Sequence, residues 1–218
     1  MTHHTLPQRL YLLCYSVGKG KFELTNLQGR GQLLRAAALT ELARDGLLVR
    51  RGGRVARRAA DPPSDPFLAE VWRDLPTGKP KSWLPLVHNK AHTAETPIRR
   101  QLAATGAITV RHERWLGTLP HDRVTVNDPE QVLTWQEKVR NAVLLGPDPA
   151  VIPVDELTMA VFAAETEVTS VFTAHERRTH KQALSTLAAH FDEAVPGLRK
   201  ALRDSYLSDR AVGAGWST

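Results

Sequence analysis

Leucine and alanine recur at positions 34, 38, 39 and 42, with polar residues between them. This 3.6-residue spacing predicts a helix from Gln32 to Asp45, closed by Gly46. The run "LLVRRGGRVARR" that follows alternates around two glycines and predicts a hairpin over 47–58 carrying five arginines. The same order returns further on. Pro97 opens a helix that carries Arg99 and Arg100 and runs through Leu102 to Gly106; a second hairpin, 108–126, then turns through "WLGTLP". Two helix-glycine-hairpin units in one chain resemble the latter half of a winged helix.

Further helices are expected at Leu6–Tyr15, Phe67–Leu75, Lys81–His92 and from Asp128 and Pro129 to Leu144. Apolar residues at 157, 161, 162, 168, 171 and 172 keep helical spacing, and further amphipathic helices follow at His180–Phe191 and Pro196–Leu207. "ADPPSDPF" cannot be helix interior, because its prolines remove donors, so it is read as an ordered linker. The expected fold is mainly α, a single domain over 1–218, with two small β-hairpins in winged-helix-like units and residues 208–218 as a loose tail.

Charge divides the chain. Residues 1–60 hold 11 lysines and arginines against 3 acids, whereas the remainder holds 18 against 20. A cationic end points to an anionic partner, either nucleic acid or an acidic membrane surface. The abundance of arginine and alanine fits GC-rich coding and a bacterial source. The longest apolar run, "LYLLCYSV", is far too short to span a bilayer, and it lacks the flanks of a signal peptide. A cytoplasmic protein is expected. Cys14, the one cysteine, lies in that run and reads as a buried, inert thiol.

No catalytic constellation emerges. "GKGK" lacks the spacing of a phosphate loop, and the two histidines of "HERRTH", five residues apart, lie about 140° apart around a helix. Glu165, Glu167 and Glu176 have no nucleophile or glycine-rich turn near them in the sequence. Neither an enzymatic activity nor a cofactor or metal is expected. As a DNA reader the first unit is weak too, since "LLRAAALTELA" presents alanine and leucine where base edges need Arg, Asn, Gln or Ser. In the second unit Trp115, Leu116 and Leu119 form an apolar tip with a collar of Arg111, Arg114 and Arg123. An apolar tip with basic flanks suits a lipid interface.

Taken in order, "LPQRLYLLCYSVGKGKF", "LLRAAALTELARDGLLV", "DPPSDPFLAEV", "RRQLAATGAITV" and "DPEQVLTWQEKVRNAVL" resemble the Golgi phosphoprotein 3 family over roughly residues 6–190. The resemblance implies a helical core ringed by amphipathic helices with a projecting β-hairpin. It also implies a phosphatidylinositol 4-phosphate site of the kind eukaryotic members use on membranes. Arg35 matches an arginine of the family's headgroup pocket. The pocket's tryptophan falls here on Asn26, and its arginine pair on His92 and Glu95. Lys90, His92, Arg99 and Arg100 lie near those positions and make, with Arg35, an alternative anion site.

The expectation is therefore a non-enzymatic peripheral protein of the cytoplasmic membrane face. It binds anionic phospholipid, with phosphatidylinositol 4-phosphate as one candidate, and presents the 108–126 hairpin for insertion or homo-oligomer formation. A winged-helix-like DNA-binding protein and an intracellular adaptor for client protein tails are the alternatives, and nucleic acid is the less favoured partner.

Overall fold

The computed structural model describes residues 4–22, 27–115 and 119–214, with backbone alone for 27–28, 112–115, 119–121 and 211–214. The fold is mainly α: 62% of it is helical, in 10 helices, with only two-stranded antiparallel sheets. Helix α1 (Leu6–Leu13) leads into a short pairing of β1 (Tyr15–Ser16) with β2 (Lys21–Phe22). The central element is α2 (Leu27–Arg44). Its Leu33, Leu34, Ala36, Ala37, Ala38, Leu39 and Leu42 are all buried. Arg30, Gln32, Arg35, Thr40 and Glu41 of the same helix are buried too, so it is covered on nearly every side. Accordingly α2 touches α1, α3 (Pro66–Asp74), α4 (Trp83–His88), α5 (Glu95–Ala104) and α10 (Leu198–Ala214).

Helix α2 starts before Gln32, where the sequence predicts its beginning. Gly29 and Gly31 lie within this earlier part of the helix as points of close contact. A Cβ on Gly31 would come within 1.9 Å of the Ala91 carbonyl oxygen, and one on Gly29 within 2.5 Å of the Tyr206 ring. Glycine at these two positions lets the 91–93 turn and α10 lie directly on the α2 backbone.

Both expected hairpins form, as β3 (Leu48–Arg51) with β4 (Arg54–Arg57) and β5 (Ile108–Trp115) with β6 (Leu119–Val126). Val55 exchanges two backbone hydrogen bonds with Lys81, an isolated bridge that ties β4 to the chain before α4. The predicted Lys81–His92 helix is shorter, because Lys90 adopts a left-handed φ of 52° and separates α4 from a 3-10 turn at Ala91–Thr93.

The second half of the chain stacks α6 (Pro129–Leu144), α7 (Val154–Glu165), α8 (Ala174–Thr179) and α9 (Lys181–Ala194) behind α1 and α2. The periodicity through 168, 171 and 172 does not continue α7. Glu167 takes a left-handed φ of 52° and turns the chain, and Val168, Val171 and Phe172 are buried from that turn. Helix α10 runs on to Ala214, past its expected end at Leu207, so the stretch read as a loose tail is helical that far. Polar contacts hold it: Asp209 accepts from Gln32, and Arg210 pairs with Glu167 at 2.5 Å.

Candidate anion-binding site

Arg35 sits in the middle of α2 and is 2% exposed. Its Nε donates to the Leu86 carbonyl at 2.9 Å and its Nη1 to Asp74 at 3.1 Å. Asp74, at the C-terminal end of α3, also accepts from Lys90 Nζ at 2.7 Å. One carboxylate thus joins two predicted site residues, one buried and one exposed. Burial lowers the pKa of the Arg35 guanidinium, and the adjacent Asp74 pulls it back up. A charge this deep is tolerable only because it is paired and hydrogen-bonded.

A second carboxylate repeats the arrangement across the 88–95 loop. Glu95 accepts from Arg99 Nη2 at 2.8 Å and from Arg30 Nε at 3.1 Å. Arg99 Nε also donates to the Tyr11 hydroxyl at 2.8 Å. Burial raises the Tyr11 pKa to about 12, against the neighbouring Arg99 charge, so this phenol stays protonated at neutral pH. The Arg30 guanidinium lies 5.4 Å from the Phe22 ring centroid, and Phe22 in turn packs on Tyr11 at 4.6 Å.

The structure therefore brings Arg35 to Lys90 and places Arg99 in a parallel pair nearby. His92 is exposed on the turn between the two carboxylates. Arg100 is exposed on α5, one residue and so about 100° around the helix from Arg99. Sequence reasoning missed Arg30, Asp74 and Tyr11. Only the Glu95–Arg99 pair had a local signal, the i,i+4 spacing of a helical ion pair. Glu95, which stands where the family has an arginine, is held by two arginines.

In the second hairpin, Arg111 stands opposite Arg123 and Trp115 opposite Leu119. Ile108, Val124 and Val126 bury its base, and Arg111 and Arg123 are exposed. Leu116 and the side chains of Arg114, Trp115 and Leu119 lie outside the described residues, as does Asn26.

A comparison with known families decides the wider reading. The Golgi phosphoprotein 3 (GPP34) family matches residues 6–205. The chain belongs to that family. A search of curated proteins finds no match. Among the described residues no helix is long and apolar enough to cross a membrane, and no three His, Cys, Asp or Glu side chains gather as a metal site. Of "HERRTH", Glu176 closes a capping box with Thr173 and pairs with Arg140. Its role here is structural.

Proposed function

We propose that this Golgi phosphoprotein 3 family member is a non-enzymatic peripheral membrane protein that binds anionic phospholipid headgroups at the loop joining α4 to α5. One observation carries the reading: five cations, Arg30, Arg35, Lys90, Arg99 and Arg100, share this region, and the first four of them converge on just Asp74 and Glu95 as ion-pair partners among the described residues. Lys90, His92 and Arg100 form the exposed rim, where a phosphate could exchange with the existing carboxylate partners. The left-handed backbone at Lys90 is costly for a residue with a Cβ, by about 1–2 kcal/mol, and holds the ammonium at that rim.

Phosphatidylinositol 4-phosphate is a candidate headgroup on family grounds. The 108–126 hairpin would add tip insertion or self-association, and the site would face the cytoplasmic leaflet. Each juxtamembrane Lys or Arg contributes about 1 kcal/mol at an acidic surface, so Lys90 and Arg100 supply only about 2 kcal/mol without specific headgroup contacts.

The test is co-sedimentation with phosphatidylcholine vesicles that carry or lack phosphatidylinositol 4-phosphate. Replacing Lys90 and Arg100 by glutamine should weaken binding to the phosphoinositide vesicles by roughly tenfold or more. Equal binding of wild type to both vesicles would refute a headgroup site.

A further inference from the structure

We propose that the β3–β4 hairpin and the Lys79–Lys81 segment beside it form a second cationic surface that lies flat on an acidic phospholipid bilayer. This rests on the membrane reading above but concerns a different face. Arg51, Arg54, Arg58, Lys79 and Lys81 are all exposed, and among the described residues none of them pairs with a carboxylate. No acidic residue occurs anywhere between Gly46 and Ala60 or between Leu75 and Lys81. The strand register also sets Arg51 directly across from Arg54 at the tip. Like charges placed opposite one another are destabilising in an isolated hairpin. An anionic partner removes that repulsion.

The surface is rigidly presented. Arg57 stacks on the Trp72 ring at 4.3 Å, Arg50 Nη1 donates to the Ala194 carbonyl at 2.7 Å, and Val55 is tied to Lys81 through two backbone bonds. These three anchors hold the hairpin to α3, α9 and the loop before α4, and leave the remaining cations facing outward. The two paired strands are each about 13 Å long, and the Val55–Lys81 bridge sets Lys81 beside them. Such a patch matches an array of headgroups.

Nucleic acid fits it less well. In a winged helix the hairpin assists a neighbouring helix that enters the major groove. The helix before this hairpin, α2, is buried under five other helices, with Leu34, Ala37 and Leu39 fully covered. Nothing beside the hairpin reaches a base edge.

The test compares wild type with Arg51→Gln/Arg54→Gln/Arg58→Gln on vesicles of phosphatidylcholine containing about one-third phosphatidylglycerol. Both proteins keep Lys90, His92 and Arg100, so the headgroup site is not the variable. At about fivefold per cation, the triple variant should bind about a hundredfold more weakly, and its binding should depend less on salt. Its circular dichroism and melting temperature should match wild type.

Wild-type binding that the triple variant retains in full would overturn the hairpin surface and leave the headgroup site standing. Retention of wild type by duplex DNA but not by vesicles, lost in the variant, would also overturn it and reassign the hairpin to nucleic acid. Wild type that binds phosphoinositide vesicles but not phosphatidylglycerol vesicles would overturn this surface alone. Binding to neither would overturn both readings.

Discussion

Two regions of this chain are rich in arginine and treat it in opposite ways. Around α2 and α5, Arg30, Arg35 and Arg99 are drawn inward onto Asp74 and Glu95, and Arg35 is 2% exposed. On the β3–β4 hairpin, Arg51, Arg54 and Arg58 are exposed and, among the described residues, pair with no carboxylate. The first set stabilises the joint between α2, α3 and the 88–95 loop; the second leaves its charge available to a partner. A count of cations along the chain treats these as equal, and their surroundings make them different.

The largest effect that should break the comparison is Asp74→Ala. It leaves the buried Arg35 guanidinium without its counter-charge, which costs about 3–5 kcal/mol, and a large fall in melting temperature should report it. Gly31→Ala should come next. The new methyl would stand 1.9 Å from the Ala91 carbonyl oxygen, a backbone atom, so the cost lies at the upper end of the range of about 1–3 kcal/mol for overpacking and exceeds the gain of about 1 kcal/mol from replacing a helical glycine. The loop carrying Lys90 and His92 must then shift, so phosphoinositide binding should weaken together with stability.

Another arginine–carboxylate pair, Arg140–Glu176, lies in neither region and calibrates both. Hydrogen bonding from Arg140 holds the Glu176 pKa down at about 2. A carboxylate depressed on folding contributes stability above its ordinary range near 4.3, and that contribution disappears as pH falls through about 2. Glu176→Gln should therefore lower the melting temperature slightly at neutral pH, and the gap should close in acid. Smallest of all, the hairpin triple variant should change stability by no more than about 0.5 kcal/mol per site, since its side chains touch nothing that folding buries. Denaturant titration checks it.

How much of this was visible in the sequence depends on how far each contact reaches. Both hairpins and most helices follow from local spacing and turn glycines. The close approach at Gly29 and Gly31 was not legible, because its partners, Tyr206 and Ala91, are far away in the sequence. Val168, Val171 and Phe172 kept helical periodicity although Glu167 turns the chain, because burial from a turn can mimic burial from a helix face. At the candidate site the basic residues were legible, and so was the Glu95–Arg99 spacing. Their neutralisation was not, because Asp74 lies 39 residues from Arg35 and Glu95 lies 65 residues from Arg30. The exposed hairpin cations were legible as charge, but that they stay unpaired is a fact of tertiary structure.

The central claim, that the two arginine sets differ in availability, is tested most directly without any lipid. Brief treatment of the folded protein with p-hydroxyphenylglyoxal, which modifies accessible guanidinium groups, can be read out residue by residue by peptide mass spectrometry. Arg51, Arg54 and Arg58 should react fast, and Arg30, Arg35 and Arg99 should be protected until the protein is unfolded. Modification of Arg35 and Arg30 at the rate of Arg54 in the folded state would contradict the account.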